Sequence, residues 1–314
     1  MRILITGGNG FLGRKLARRL LTEGGHDITL LDVQPGAEPL PGTESIVGDL
    51  CDPAVQDRLR SRGFDSVFHL AAVVSAAAEA DFDLGMRVNL DGTRALLDVC
   101  RALPAPPRLV FASSVAVFGH APPLVRDDTP ARPQSSYGTQ KAIGELLVND
   151  CSRKGFVHGC SLRLPTVVVR PGKPNLAASS FASGIIREPL SGERAACPVP
   201  QDLALWIASP AQVVANLLHA HGLPPEAWED DRTLNLPGLS VTVRGMIAAL
   251  VKAGGDPSLI DHQPDERIAR IVASWPADME TARADRLGFG RDRGIDAIVR
   301  AYVEEDMPKR VNTR

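Results

Sequence analysis

Residues 2–13 read Arg-Ile-Leu-Ile-Thr-Gly-Gly-Asn-Gly-Phe-Leu-Gly, and this stretch decides the fold. An apolar run meets Gly7, Gly10 and Gly13, spaced as GxxGxxG, and a helical pattern follows. This order predicts a strand, a tight turn at Gly7, a close approach of a pyrophosphate at Gly10 and close helix packing at Gly13. Phosphates bind readily at such a helix N-terminus. The alternative is a glycine-rich turn that binds nothing.

The alternation of strand and helix patterns continues to residue 164. Nearly continuous apolar runs are separated by helical patterns, which is typical of a parallel sheet covered by helices on both faces. We therefore predict an α/β fold built on a doubly wound Rossmann sheet. The predicted strands include residues 2–6, 28–31, 66–70, 109–113 and 159–164, and the predicted helices are 13–23, 54–62, 87–102 and 137–154.

The composition of the sequence changes after Arg163, where prolines separate short segments rich in small residues. We predict a smaller, loop-rich C-terminal substrate-binding lobe, with helices at 209–221, 241–253 and 295–304 and a strand at 233–236. The chain is divided into a Rossmann domain at 1–165 and a mainly substrate-binding lobe at 166–314, of which segments at about 205–237 return to the first domain. The prolines are Pro165, Pro171, Pro174, Pro189, Pro198 and Pro200.

Composition excludes several classes of function. The 314 residues are 44% hydrophobic and 23% charged, which is close to the average for globular proteins. A net charge of -2 and 4% aromatic residues argue against nucleic-acid binding. No stretch reaches the roughly 20 apolar residues of a membrane helix. Five scattered cysteines without CxxC spacing predict a reducing cytoplasm, and no histidine spacing predicts a metal site.

Acidic residues after two later strands extend the predicted nucleotide site. Asp32 ends the second strand about 20 residues after the glycines, where a carboxylate binds the adenosine ribose. Its charge would repel a 2′-phosphate, and no arginine follows it, so the cofactor predicted is NAD. The alternative is that Asp32 is a turn residue. Asp49 and Leu50 follow the third strand near the adenine, and Leu70, Ala71 and Ala72 leave room for the cofactor along the fourth.

Tyr137 and Lys141 lie one helical turn apart and therefore share a face of the predicted helix. A tyrosine normally titrates near 10, but an adjacent ammonium favours the phenolate and so makes a better base. Ser113 and Ser114 end the preceding strand at the sheet edge where ligands bind, and Ser114 is the candidate for hydrogen bonding to the reacting oxygen. The alternatives are an exposed helical pair for the tyrosine and lysine, and capping of backbone groups for either serine.

These motifs, with His69 to Ala72 and Asn89 to Thr93, resemble the extended short-chain dehydrogenase/reductases, also called the NAD-dependent epimerase/dehydratase family. The resemblance implies that Ser114, Tyr137 and Lys141 form a catalytic triad and that Asn89 supports the active-site helix. It also implies a homodimer formed through helices 87–102 and 137–154. Further cofactor contacts are assigned on this resemblance to Phe11, Leu12, Asn89, Pro165 and Thr166. Tyr137 and Lys141 are also assigned to the cofactor, and Lys141 would hold the hydroxyls of the nicotinamide ribose.

The substrate is narrowed by the residues after the sixth strand. The segment from Arg163 to Leu190 resembles the bacterial D-erythronate dehydrogenases, which implies NAD-dependent oxidation of a small sugar acid at C2, giving 2-dehydro-D-erythronate. A carboxylate calls for a cation, and Arg187 is our candidate. Ser75, Asn175 and Ser179 are assigned to the substrate hydroxyls. Solvated side chains are the alternative at these positions.

Two other functions stay open on the sequence alone. One is an NAD-dependent epimerase of sugars or nucleotide sugars, although the late segment around Pro210 lacks the aspartate pair usual in such enzymes. Dehydration is disfavoured because Val115 and Ala116, and no acidic residues, follow Ser114. The other is a non-catalytic NAD-sensing regulator, which would not need Tyr137 and Lys141.

Overall fold

The computed structural model describes residues 1–172 and 177–307, and twelve strands are found in these ranges. Seven of them form the central sheet in the order β10-β6-β5-β4-β1-β2-β3, all parallel. The strands are β1 Arg2–Thr6, β2 Asp27–Asp32, β3 Thr43–Val47, β4 Ser66–His69, β5 Arg108–Ser114, β6 His158–Leu164, β7 Thr166–Val167, β8 Ala195–Cys197, β9 Ala204–Ala208, β10 Thr233–Asn235, β11 Leu239–Thr242 and β12 Ile260–His262.

Helices cover both faces of the central sheet. In the described ranges they are α1 Phe11–Glu23, α2 Pro53–Arg62, α3 Ser75–Ala80, α4 Phe82–Gly85, α5 Gly92–Arg101, α6 Ser136–Arg153, α7 Ser180–Leu190, α8 Pro210–Gly222, α9 Val243–Lys252, α10 Glu266–Ala273, α11 Ala282–Arg286 and α12 Ile295–Ala301. A π-helical turn at Met86–Asp91 leads into α5, and another at Tyr302–Asp306 follows α12. None of the helices in the described ranges is long and apolar enough to cross a membrane.

The strand β1 shows how the two layers are built. Its side chains alternate between the faces, so that Ile3 and Ile5 pack with the α1 and α8 side, whereas Leu4 packs with the α2 and α5 side. All three are fully buried, because each face of a parallel sheet is covered. The predicted α/β Rossmann fold is confirmed.

Residues after β6 form a second apolar core. The strands β11, β9 and β7 make a small sheet, which packs with α7, α9 and α12 around residues such as Ile185, Ile207 and Met246. Strand β10 returns to the central sheet beside β6, while β9 belongs to the small sheet. The division of the chain at residue 165 stays a prediction.

The expectation of a loop-rich lobe was wrong for residues 180–190. They form α7, with Pro189 in its last turn, although proline normally ends a helix because it lacks an N–H group. Burial of Phe181, Ile185 and Ile186 in the second core stabilises the helix, and tertiary packing of this kind outweighs local propensity.

Candidate active site

Two adjoining cavities lie over the carboxyl ends of the central strands and form one groove. The first has a volume of about 520 Å³ and the second about 280 Å³, and both are lined by Gly7, Gly10, Leu70 and Ala72. The first is also lined by Asp32, Asp49, Leu50, Ala71 and Arg87. The second is also lined by Phe11, Leu12, Gly13, Ser75, Ser114, Tyr137, Lys141, Pro165, Thr166, Arg170, Ser179 and Trp275.

The glycine turn forms the wall that the two cavities share. Gly7 has a φ of +66°, and a Cβ atom there would lie 2.8 Å from the backbone nitrogen of Ala71. A Cβ atom at Gly13 would lie 2.4 Å from the carbonyl oxygen of Gly7. Helix α1 begins at Phe11, directly after Gly10, and in the described part of the chain no side chain caps it. The first-turn amides of such a helix suit a pyrophosphate.

Acidic side chains at the first cavity hold the loops that surround it. Asp32 accepts hydrogen bonds from the backbone nitrogens of Asn9 at 3.1 Å and Gln34 at 3.2 Å. Asp49 forms an ion pair with Arg87 at 2.9 Å. Sequence reasoning did not single out Arg87, because its pairing with Asp49 depends on tertiary structure. The site at Asp32 fits a ribose with free hydroxyls.

His69 connects the floor of the groove to α5. Its Nδ1 lies 2.6 Å from the hydroxyl oxygen of Thr6, and its Nε2 lies 2.9 Å from that of Thr93. Burial, reinforced by the positive charge of Lys141, lowers the pKa of His69 to about 3. The ring is therefore neutral at physiological pH, and its two hydrogen bonds connect β4 to β1 and to α5.

The three predicted catalytic side chains meet in the second cavity. Tyr137 and Ser114 line this cavity together, and the Ser114 hydroxyl acts to lower the pKa of Tyr137; Ser114 also accepts from the backbone nitrogen of Ala116 at 3.1 Å. The Nζ of Lys141 donates to the carbonyl oxygen of Ala112 at 2.8 Å and lies 5.7 Å from the centroid of the Tyr137 ring. Ser114 thus has both the capping contact and the contact to the tyrosine.

The pKa values of this group differ from the sequence expectation. Burial raises the pKa of Tyr137 to about 12, against the opposing effects of its hydrogen bond with Ser114 and the charge of Arg170. Burial lowers the pKa of Lys141 to about 7, against the opposing charge of Glu145. Desolvation penalises the charged form of each group, and here it outweighs the attraction expected between an ammonium and a phenolate.

A buried ion pair lies one helical turn beyond Lys141. Glu145 accepts hydrogen bonds from Arg163 at 2.9 and 2.8 Å, and Ser113 donates to it at 2.5 Å. The guanidinium of Arg163 also contacts Asn235 at 3.3 Å, which ties β6 to β10. Sequence reasoning missed Glu145 and Arg163 as a pair. The available signal was the four-residue spacing from Lys141 to Glu145, which repeats that from Tyr137 to Lys141.

Asn89 supports the active-site helix through direct side-chain contacts. Its Oδ1 accepts from the backbone nitrogen of Val73 at 2.8 Å, and its Nδ2 donates to the carbonyl of Val73 at 3.0 Å and to Oε1 of Gln140 at 2.7 Å. The side chain therefore fixes the loop after β4 against α6. It is not among the described residues that line the two cavities, so a direct cofactor contact by Asn89 stays a prediction.

The structure separates the predicted substrate residues into three groups. Ser75 and Ser179 line the second cavity, and the hydroxyl oxygen of Ser75 accepts from the backbone nitrogen of Ala178 at 3.0 Å. Asn175 lies outside the described residues. Arg187 is not among the described lining residues, because its guanidinium is held by Glu188 and by a backbone carbonyl. Arg170 and Trp275 line the cavity and were missed.

Comparison with known proteins agrees with this geometry. Residues 3–206 match the NAD dependent epimerase/dehydratase family. The chain belongs to this family. It is 53% identical to a D-erythronate dehydrogenase of Cupriavidus necator, over 97% of this chain and 98% of that one. It is 46% identical to a D-erythronate dehydrogenase of Haemophilus influenzae, over 98% of this chain and 100% of that one.

A solved structure extends the similarity to three dimensions. The protein described as the nucleoside-diphosphate-sugar epimerase from Agrobacterium tumefaciens has a TM-score of 0.89 and 42% identity, covering 98% of this chain and 94% of that one. The predicted membership of the epimerase/dehydratase family is thereby confirmed, as is the prediction of an NAD-dependent oxidoreductase.

Proposed function

We propose that the protein uses NAD to oxidise the C2 hydroxyl of a small sugar acid, D-erythronate, to 2-dehydro-D-erythronate. The observation that carries this proposal is the second cavity, which Tyr137, Ser114 and Lys141 line together at the end of the nucleotide groove. Its described lining residues include two basic side chains, Lys141 and Arg170, and no acidic one, which suits an anionic substrate. The two relatives named D-erythronate dehydrogenase support the choice of acid.

The chain's own residues would bind the cofactor along the groove. Asp32 would accept from the ribose of the adenosine, Asp49 and Leu50 would border the adenine, and the turn from Gly7 to Gly13 would hold the pyrophosphate. Phe11, Leu12, Pro165 and Thr166 line the second cavity, where the nicotinamide end would lie. NAD, when bound, accepts the hydride from the substrate carbon.

Proton transfer is assigned to Tyr137. As the C2–H bond breaks and its electron pair leaves with the hydride, the hydroxyl proton passes to the phenolate oxygen of Tyr137 and a carbonyl forms. Ser114 donates a hydrogen bond to the reacting oxygen and holds it beside the tyrosine. Since a neutral phenol cannot accept this proton, Tyr137 must first release its own proton to solvent, and the Ser114 hydroxyl and the charge of Arg170 favour the resulting phenolate.

The test is a panel of four- to six-carbon sugar acids with NAD and NADP, followed by the absorbance of the reduced nicotinamide. We expect accumulation of NADH with D-erythronate, whereas an epimerase would return the hydride and accumulate none. In Tyr137→Phe we expect turnover to fall by about 10²- to 10⁴-fold with NADH binding retained. The control is Tyr302→Phe, at the second of the two tyrosines. Full activity of Tyr137→Phe would contradict the assignment.

We also propose that the protein is a homodimer formed through α5 and α6, the helices that the family resemblance implies. Its support is the exposed apolar residues of α6 and of α4, which contacts α6. Leu146 on α6 is 70% exposed, and Phe82 and Leu84 on α4 are 59% and 42% exposed. Large exposed apolar groups can mark interaction surfaces. We further assign the protein to the cytoplasm, because all five cysteines are free thiols, and fractionation of cells tests this.

A further inference from the structure

The substrate cavity has one strong candidate for binding a carboxylate. Of the residues described along its lining, the charged ones are Lys141 and Arg170, and no acidic side chain is among them. The Nζ of Lys141 donates to the carbonyl oxygen of Ala112 and lies 5.7 Å from the centroid of the Tyr137 ring, so we assign it to the tyrosine. The substrate's negative charge is therefore best met by Arg170.

The reaction itself restricts where that cation lies. In a 2-hydroxy acid the carboxylate carbon is bonded directly to the carbon that loses the hydride, so the anion binds within a few ångströms of the catalytic hydroxyl. Arg170 lines the same cavity as Tyr137, and the two charges influence each other's pKa values. The guanidinium carbon lies 6.0 Å from the centroid of the Phe11 ring, which borders the nicotinamide end of the groove.

Burial of Arg170 favours an anionic partner without removing its charge. Burial, followed by the neighbouring charge of Arg187, lowers the pKa of Arg170 to about 10, although Tyr137 opposes this effect. The guanidinium therefore stays protonated at neutral pH. A partly desolvated cation interacts more strongly with an anion than an exposed one does, because less water screens the pair. Its planar fork also matches both oxygens of a carboxylate.

Two side chains of α7 hydrogen-bond to the backbone nitrogen and carbonyl oxygen of Arg170. The hydroxyl oxygen of Ser183 accepts from the backbone nitrogen of Arg170 at 3.0 Å, and Nη1 of Arg187 donates to its carbonyl oxygen at 2.7 Å. Nη2 of Arg187 donates to Oε1 of Glu188 at 2.5 Å. Arg187 is thus committed to contacts within the protein. It acts on the cavity through the position of Arg170.

We infer that Arg170 binds the carboxylate of the substrate and that Arg187 and Ser183 are positioning residues that hold it in the cavity. The inference rests on the proposed oxidation of a sugar acid and names the residue that recognises the acid group. It replaces our sequence-based assignment of that role to Arg187. The competing role for Arg170 is a contact with the cofactor pyrophosphate, because Phe11 belongs to the glycine turn.

The experiment compares Arg170→Gln and Arg170→Lys with the wild type on D-erythronate and on its neutral amide, at saturating NAD. In Arg170→Gln we expect kcat/KM for the acid to fall by about 10²- to 10³-fold, mostly through KM, while the amide changes by less than about 3-fold. Arg170→Lys keeps the charge but loses the fork, so an intermediate loss is expected. Arg194→Gln, at an arginine with a 61% exposed side chain, is the matched control and should change neither substrate.

Binding of NADH, followed by fluorescence titration, separates the two roles of Arg170. A dissociation constant within about 2-fold of the wild type in both variants supports substrate binding, whereas a larger loss, with acid and amide affected equally, overturns the inference in favour of the cofactor. Circular dichroism and melting temperatures establish that each variant is folded. If Arg170→Gln does not fold, Arg170→Lys decides the question, and wild-type kinetics from a folded Arg170→Lys would overturn the paired hydrogen bonding proposed here.

Positioning by Arg187 has its own readout, the preference for the acid over the amide. We expect Arg187→Gln to lower this preference by about 10-fold and Arg187→Lys to restore much of it, since an ammonium can still donate to the Arg170 carbonyl. An equal loss on both substrates would overturn the positioning role. Wild-type protein that oxidises the amide but no sugar acid would refute the proposed function. Wild-type protein active on D-erythronate, with Arg170 variants equally active, would refute only the role of Arg170.

Discussion

The amino group of Lys141 lies in a confined place between β5 and α6. It is 4.7 Å from the centroid of the Phe111 ring and 5.7 Å from that of Tyr137, and it donates to a strand carbonyl. The residue is only 2% exposed. A charged ammonium is costly in such surroundings, which explains why its pKa falls to about 7. The protein therefore keeps an ionisable amine near Tyr137 at some expense of stability.

This expense predicts a pH-dependent gain of stability in Lys141→Met. The pKa of Lys141 is about 7 in the folded chain and near 10.5 in the unfolded chain, so the unfolded chain binds more protons between these values. Wild-type stability therefore rises with pH across that window. We expect the variant to melt roughly 3–6 °C above the wild type near pH 6, with a difference that shrinks towards pH 10.

Thermal denaturation at several pH values checks this expectation. Lys252→Met is the control, because Lys252 is largely exposed and pairs with Asp296 on the surface. It should show no comparable trend. A Lys141→Met advantage that stayed constant or grew with pH would contradict the desolvation argument.

Residues of the site differ in how well sequence could identify them. Sequence reasoning identified Ser114 from its place at the end of a strand, and Tyr137 and Lys141 from their four-residue spacing on one helix. Such local patterns do not depend on contacts between distant parts of the chain. Arg170 was missed because it lies in an irregular segment after β7. Its position in the cavity depends on contacts with α7, which sequence reasoning treated as loop. The raised pKa of Tyr137 was also unpredictable, since desolvation depends on contacts between distant parts of the chain.

At the scale of elements, the first turn of α6 controls where the tyrosine lies. Ser135 begins the helix by accepting from the backbone nitrogen of Gly138 at 3.1 Å. The helix then passes so close to the end of β5 that a Cβ atom at Gly138 would lie 2.1 Å from the carbonyl oxygen of Ala116. Only glycine permits this approach, and the approach brings Tyr137 to Ser114.

We therefore predict that Gly138→Ala impairs catalysis by displacing α6. Because a shift of about 1 Å in a catalytic group can cost about 10²-fold in rate, kcat should fall by at least roughly 10-fold, with a lower melting temperature. Gly222→Ala at the end of α8 is the control, since nothing lies within 4 Å of the added atom. Steady-state kinetics and thermal melts of both variants test the prediction. Unchanged kcat in Gly138→Ala would show that α6 adapts without moving the tyrosine.

Elements of the central sheet were predicted well. In the second core, helices α9 and α12 were predicted at 241–253 and 295–304, but α7 and the short strands were not. The strands β1, β2 and β5 contain apolar runs that are buried on both faces of the sheet, and such runs can be recognised in the sequence. By contrast, β8 has three residues and β7 only two, too few for any period to show. Helix α7 was not recognised because Pro189 and several small residues argue against a helix in the sequence, whereas burial in the second core stabilises it.

At the scale of the whole molecule, the exposed Leu146 on α6 allows a test of the proposed homodimer. If two chains associate through α5 and α6, a charge at Leu146 would have to be buried without a partner. We predict that the wild type has twice the mass of one chain by sedimentation equilibrium and that Leu146→Glu is monomeric at the same concentration. Val251→Glu, at an exposed valine of α9, should leave the mass unchanged. A wild type of single-chain mass would refute the dimer.

The chain passes from the central sheet to the small sheet across a single residue, Pro165, between β6 and β7. Ser114, Tyr137 and Lys141 stand before this crossing, whereas Arg170, Ser179 and Trp275 come after it. The residues proposed for proton transfer and the arginine proposed to bind the carboxylate are thus encoded in successive stretches of the gene. Changes downstream of this one proline could alter recognition of the acid group while leaving Ser114, Tyr137 and Lys141 unchanged.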